Sequence, residues 1–185
     1  LGLVKSHITH YVCGEFSQKW HQASARIPWI TGQAVVAENG QANVPQADAN
    51  ADVVTWTLNE TSTGVMNSQL PQVAEGCLLA VDATSGAGQI ACDLSRVDLF
   101  CFSPQKVFAS EGGLFVAILS PAAQARIAEV ATTPGRYIPV FADWRLAQSN
   151  GQQQQTSTTP ATVTLFLFPA PLNRTHQAGF GVGPG

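Results

Sequence analysis

Three polar residues follow apolar runs at points where a strand would end. Thr61 comes after "VVTWTLNE", Asp82 closes "CLLAVD", and Lys106 follows "LFCFSPQ". The carboxyl ends of parallel strands form one edge of an open α/β sheet, and ligands bind there. If these strands are neighbours, a hydroxyl, a carboxylate and an amine meet in one crevice. A neutral lysine is a nucleophile whose best-known use is to form a Schiff base with a carbonyl group.

Each of these residues also has a purely structural interpretation. Asp82 suits a cap for the turn that follows it, Thr61 suits a turn hydroxyl, and Lys106 could lay its stem on apolar neighbours with its charge in water. Taken together, they favour a site for pyridoxal 5′-phosphate (PLP), where an aspartate keeps the pyridine nitrogen protonated beside the lysine. Lys106 is one of three lysines in the chain. We expect the apolar strand before it to keep its neutral form accessible.

The pattern of apolar runs indicates the architecture that positions these residues. Several runs of four to six apolar residues are typical of strands covered on both faces, and helical patterns lie between them. We therefore predict an α/β fold: a three-layer, mostly parallel sheet with helices on both faces. Residues 38–51 and 150–160 are rich in polar residues and predict exposed connections.

Two helices are predicted from their spacing and end signals. In the first, Phe16, Trp20, Ala23 and Ile27 recur at helical spacing and predict an apolar face that Pro28 ends. The second covers "SPAAQARIAEVATTPG", with Ser120 as its N-cap.

Composition excludes several classes of function. With 11% charged residues and a net charge of −3, the 185-residue chain has no basic stripe for nucleic acid. The four cysteines form no C-x-x-C pair, and His7 and His10 are a weak pair, so we expect no metal site. There is no signal segment and no run of 18 apolar residues, so we expect a cytoplasmic protein without a membrane span.

Beyond these patterns, the chain resembles a known family. The runs "NETSTGV", "DATSGAG", "DLSRVDLFCFSPQKVFASEGGLFVAILSP" and "TTPATVTL" are similar in order and spacing to blocks of phosphoserine aminotransferase. The resemblance implies the large domain of a fold-type I PLP enzyme, present in part. It also implies an enzyme of serine biosynthesis that exchanges an amino group between glutamate and 3-phosphohydroxypyruvate.

The resemblance assigns a role to each matching residue. Lys106 matches the lysine that binds PLP covalently and moves the proton, and Asp82 matches the aspartate on the pyridine nitrogen. Thr61 matches a hydroxyl near the phenolic oxygen of the cofactor. Gln105 matches a cofactor contact beside the lysine. Phe16 falls where the family stacks an aromatic ring on the pyridine, although the helix pattern leaves a core position as its alternative.

A further segment implies a homodimer in the full-length form. "TSTTPATVT" resembles the segment that reaches the cofactor phosphate of the partner subunit. Thr159 fits that pattern, whereas Thr158 stands where asparagine is usual and has a shorter reach.

The resemblance covers residues 1–165, which we expect to form a partial PLP-binding large domain. Residues 166–185 form a Gly- and Pro-rich tail, expected to be disordered or extended and outside the family pattern. The family is about twice as long, so we expect a fragment that begins with a cut at Leu1 and lacks the phosphate turn and the substrate arginines. The alternatives are another fold-type I enzyme, of the alanine–glyoxylate aminotransferase or cysteine desulfurase type, or an inactive domain without cofactor.

Overall fold

The computed structural model describes residues 2–46 and 50–179, and a six-stranded sheet runs through their centre in the order β2-β1-β3-β6-β7-β8. The first five strands in this order are parallel, and β8 is antiparallel to β7. The predicted mostly parallel sheet is therefore confirmed. The strands are β1 (His7–Val12), β2 (Thr31–Val36), β3 (Val53–Thr57), β4 (Asn59–Glu60), β5 (Val65–Met66), β6 (Leu78–Asp82), β7 (Leu99–Phe102) and β8 (Val116–Leu119).

Helices cover both faces of this sheet, as predicted. The helices are α1 (Glu15–Ser24), α2 (Pro121–Ala131), α3 (Trp144–Gln152), α4 (Thr162–Leu167) and α5 (Pro169–Gln177). On one face the strands pack against apolar side chains of α1, α2 and α3; on the other they pack against the turn after β6 and against Phe168, between α4 and α5. The central strands β3 and β6 are buried almost throughout, because both of their faces are covered.

The register of the central strands aligns the residues at their carboxyl ends. Thr57 of β3 pairs with Asp82 of β6, and Asp82 pairs with Cys101 of β7. The segments that follow β3, β6 and β7 therefore leave the sheet side by side. One of them, after β3, is a small hairpin of β4 and β5 that carries Thr61 at its turn.

Helix α1 agrees only in part with the predicted face: Trp20 and the following Ile27 pack partly buried against the core, whereas Phe16 and Ala23 do not. Its fully buried residues are Ser17 and Ser24, whereas Phe16 is 48% exposed and Ala23 is exposed. The physical reason is a polar contact with the sheet: the Ser24 hydroxyl lies 2.6 Å from Nε2 of the buried His10 in β1. Helix α2 agrees with its prediction, since the Ser120 hydroxyl accepts a hydrogen bond from the Ala123 amide at 3.0 Å.

The end of the chain also differs from its prediction. Residues 169–177 form helix α5, not an extended or disordered segment, because Pro169 occupies the first turn and Phe168 docks among Phe102 and Phe108. Residues 180–185 lie outside the described part, and the domain boundary at residue 165 stays a prediction. No helix within the described ranges has the length and apolarity needed to cross a membrane.

The buried His10 predicts a pH-dependent stability. Its ring also lies 2.8 Å from the Thr55 hydroxyl, and burial, reinforced by the neighbouring His21, lowers the pKa of His10 to about 3. The unfolded chain therefore binds a proton that the folded chain does not as the pH falls from about 6.5 towards 3, so folding stability is lost in that window. Between pH 7 and pH 4 we expect a loss on the order of 3 kcal/mol from this group.

Urea unfolding at several pH values, combined with NMR titration of the ring, measures this effect. His7→Gln is the matched control, because His7 is exposed on the same strand. The wild type and His7→Gln should lose the same amount of stability as the pH falls. In His10→Gln the free energy of unfolding should depend less on pH. A His10 ring that takes up its proton near pH 6.5 in the folded chain would contradict the expectation.

Candidate functional site

A cleft opens at the carboxyl edge of the sheet, above β3, β6 and β7. It brings together four of the seven residues singled out from the sequence, from four different segments of the chain. Its lining is Phe16, Asn59, Thr61, Asp82, Thr84, Ser85 and Lys106. The cleft therefore combines an aromatic ring, hydroxyl groups, an amide, a carboxylate and an amine.

Asp82 ends strand β6 and faces the cleft with a half-buried carboxylate. Its Oδ1 accepts a hydrogen bond from the Thr84 amide at 2.8 Å, so it does cap the turn that follows. Its Oδ2 makes no hydrogen bond to the described residues, which leaves one acceptor oxygen for a ligand. Asp82 can therefore cap its turn with one oxygen and bind a ligand with the other.

Lys106 lies on the other side of the cleft, four residues beyond the end of β7. Its side chain is exposed, which differs from the sheltered position expected from the apolar strand before it. Among the described residues its ammonium group makes neither an ion pair nor a hydrogen bond. Burial, with Asp82 adding to it, raises the pKa of Cys101 in β7 to about 12, so this neighbouring thiol stays protonated. Among the residues that line the cleft, Lys106 carries the amine.

Phe16 borders the cleft from the first turn of helix α1. Its ring is half exposed, so the alternative of a core residue does not hold. The Lys19 ammonium lies 5.6 Å from the ring centroid. The backbone amide of Phe16 donates a hydrogen bond to Glu60 Oε1 at 3.2 Å, which fixes the position of the first helical turn beside the cleft.

The Thr61 hydroxyl lies in a small network among the residues that line the cleft. It is 3.0 Å from the Ser85 hydroxyl, which also accepts a hydrogen bond from the Asn59 side-chain amide at 2.9 Å. Ser85 in turn donates to the Asn59 carbonyl at 3.1 Å. These contacts join the hairpin after β3 to the turn after β6.

Three residues singled out from the sequence lie outside this cleft. Gln105 is exposed and does not contribute to the lining, although it precedes Lys106. Thr158 and Thr159 are exposed on the segment between α3 and α4. The roles that the resemblance implies for them stay predictions.

Sequence analysis missed Glu60, Asn59 and Ser85. Glu60 is 0% exposed and receives hydrogen bonds from both Phe16 and Ser17 at the start of α1. The local signal was the run "NET" after a buried strand. The hairpin turn determines which side chain of this run points inward. A strand of two residues is too short for an alternating apolar pattern to show that direction.

Comparison with known proteins bears on what this cleft does. The family described as aminotransferase class-V matches residues 17–176. A phosphoserine aminotransferase of Corynebacterium glutamicum is 46% identical over 169 residues, which cover 90% of this chain and 45% of that protein. The chain thus spans about half the length of the curated relatives it matches.

Solved structures share the fold at lower identity. A phosphoserine aminotransferase from Cytophaga hutchinsonii superposes with a TM-score of 0.76 at 23% identity, over 95% of this chain and 51% of that one. An alanine–glyoxylate aminotransferase from Nostoc superposes with a TM-score of 0.75 at 16% identity, over 97% of this chain and 50% of that one. The fold is therefore that of aminotransferases with different substrates.

Proposed function

Since this chain belongs to the aminotransferase class-V family, we propose that it forms the cofactor-binding part of a PLP-dependent phosphoserine aminotransferase. The observation that carries the proposal is the cleft, where Lys106, Asp82, Thr61 and Phe16 line one concave surface. The phosphoserine aminotransferase of Corynebacterium glutamicum, at 46% identity, supports the choice within the family.

The side chains of the cleft fit the chemical groups of PLP. Asp82 Oδ2 and the Lys106 ammonium both lack a partner within the described part of the chain. The former suits a protonated pyridine nitrogen, and the latter suits covalent attachment of the aldehyde carbon. The half-exposed ring of Phe16 suits stacking against a flat heterocycle, at a gain of about 1 kcal/mol beyond its buried area. The Thr61 hydroxyl suits the phenolic oxygen.

In the proposed mechanism the chain holds the cofactor and moves one proton. When bound, PLP supplies an electrophilic aldehyde and a ring that accepts the electron pair left on an amino-acid carbon after proton removal. Asp82 keeps the ring nitrogen protonated, because a carboxylate beside it favours the charged form. Lys106 Nζ would hold the cofactor and, when free, would take the proton from the α-carbon of the amino acid and give it back.

For the whole protein we propose exchange of an amino group between glutamate and 3-phosphohydroxypyruvate, giving phosphoserine and 2-oxoglutarate. We further propose that it works as a homodimer in the cytoplasm, with Thr158 and Thr159 reaching the cofactor phosphate of the partner subunit. Their exposed position outside the chain's own cleft supports a role in the partner's site.

A titration with PLP tests the proposed function on the chain itself. We expect saturable binding with a visible absorbance band, and weaker binding of pyridoxal, which lacks the phosphate. Addition of glutamate should convert the bound cofactor to its amine form and release 2-oxoglutarate, and alanine should act more slowly. No saturable PLP binding, or faster conversion with alanine than with glutamate, would contradict the proposal.

A further inference from the structure

We propose that Glu60 is a positioning residue that holds Phe16 and Thr61 in the arrangement that binds the cofactor. This inference rests on the proposed function, and it concerns a residue that does not line the cleft. Glu60 stands directly before Thr61 in the chain and bonds to the helical turn that carries Phe16. One buried carboxylate thus connects two walls of the site.

Both oxygens of Glu60 accept hydrogen bonds, and the Ser62 amide adds a long one to Oε1 at 3.4 Å. Oε1 accepts from the Phe16 amide at 3.2 Å and from the Ser62 hydroxyl at 2.7 Å. Oε2 accepts from the Ser17 amide at 2.9 Å and from the Ser17 hydroxyl at 2.8 Å. Each oxygen therefore bonds to a backbone N–H of the first turn of α1, whose amides have no partner within the helix.

The charge of this carboxylate is compensated by dipoles. Within the described part of the chain Glu60 forms no ion pair, although its side chain is fully buried. Burial acts to raise the pKa of Glu60, but the hydrogen bonds from Ser17 and Ser62 outweigh it and keep the pKa below its usual value. The positive end of the α1 dipole acts in the same direction. The group is therefore a carboxylate that only accepts hydrogen bonds, and an uncharged amide cannot replace it at both oxygens.

Gly14 provides the space that lets this carboxylate reach the helix. A Cβ atom at residue 14 would lie 2.5 Å from Glu60 Cγ and 2.5 Å from the Ser62 hydroxyl oxygen. Any larger residue would push the hairpin and the helix apart. The close approach at Gly14 indicates that the two segments are built to be in contact.

The hairpin is held on its other side as well. Asn59 and Thr61 bond to Ser85 in the turn that Asp82 begins. Glu60 thus links the helix to a hairpin that is itself joined to the Asp82 turn. If the link to Glu60 is lost, Phe16 can move relative to Thr61 and Asp82, and a cofactor held between them binds less tightly.

The Glu60→Gln variant tests this inference, with Glu15→Gln as matched control. Glu15 lies in the same turn of α1 but is exposed and pairs with Lys19, so its replacement removes a charge without removing an acceptor for the amides. Two quantities are measured: hydrogen exchange of the Phe16 and Ser17 amides by NMR, without cofactor, and the Kd for PLP. We expect Glu60→Gln to accelerate both exchange rates and to raise the Kd, each about tenfold, and Glu15→Gln to change neither.

The outcomes separate this inference from the proposed function. The positioning role would be overturned if Glu60→Gln left the amide exchange rates unchanged, or if it accelerated them and left the Kd for PLP unchanged. In both cases PLP binding by the wild type would still uphold the proposed function. Absence of PLP binding by the wild type and by Glu15→Gln would overturn the function, and the inference with it. If Glu60→Gln does not fold, Ser62→Ala serves in its place, because it removes one hydrogen-bond donor to Glu60 Oε1. We expect it to raise the amide exchange rates and the Kd for PLP about threefold. If neither quantity changes in Ser62→Ala, the inference is overturned.

Discussion

Replacing Lys106 with alanine should abolish covalent binding of PLP and slow amino-group transfer from glutamate by about 10³-fold or more. The reason is that one amine performs two tasks in the proposed mechanism, attaching the cofactor and moving the proton, and positioned general acid–base groups contribute about 10² to 10⁴-fold. Because Lys106 is exposed and its ammonium is unpaired among the described residues, its removal leaves no buried partner unsatisfied. We therefore expect the fold to be retained.

The other two lysines provide matched controls. Lys5 pairs with Glu129 at 2.7 Å, and Lys19 pairs with Glu15 at 3.1 Å; both pairs are partly exposed. Exposed pairs of this kind contribute about 1 kcal/mol or less to stability, so Lys5→Ala and Lys19→Ala should fold and bind PLP like the wild type. The absorbance band of the covalent adduct and the single-turnover rate with glutamate measure the difference. A Lys106→Ala chain that keeps the band would refute the assignment.

The Asp82→Asn variant should bind PLP covalently and yet transfer the amino group about 10² to 10³-fold more slowly. Asparagine can still accept the hydrogen bond of the Thr84 amide through its carbonyl oxygen, so the turn after β6 is preserved. What is lost is the negative charge that keeps the ring nitrogen protonated, and fixed charges of this kind are worth such factors.

For Asp82→Asn, single-turnover conversion with excess glutamate measures amino-group transfer separately from covalent binding of PLP. Asp93→Asn is the control, because Asp93 is exposed and, among the described residues, accepts hydrogen bonds only from Ser95. It removes the same charge from the chain at a position outside the cleft. Equal rates for Asp82→Asn and Asp93→Asn would show that the role of Asp82 has been misassigned.

The part of the site that sequence predicts best depends on strand order. Thr61, Asp82 and Lys106 each follow a buried apolar run, and parallel strands in register must bring such residues to one edge. Sequence could not show that Asp82 uses one oxygen for its turn, while its other oxygen has no hydrogen-bond partner in residues 2–46 and 50–179. Nor could it show that Lys106 is exposed, since hydrophobic pattern reports on the strand and not on a loop four residues beyond it.

Local pattern failed where a tertiary contact decided the outcome. Phe16 fits the apolar stripe of a helix, but the helix turns Ser17 and Ser24 inward because Glu60 and His10 bond to them. The same contact hid the role of Glu60 in the sequence, since its partners in α1 lie more than forty residues away. Residues 169–177 have no helical periodicity, and their helix forms where Phe168 is anchored between two aromatic rings.

The most direct test of the account is reduction of the PLP-treated chain with borohydride, followed by mass mapping of its peptides. The chain has three lysines, so the mapping distinguishes them completely. We predict that the reduced cofactor is found on the peptide that contains Lys106, in a ratio of one per chain. Label on Lys5 or Lys19 in place of Lys106, or no label at a PLP concentration that saturates the absorbance band, would contradict the central claim.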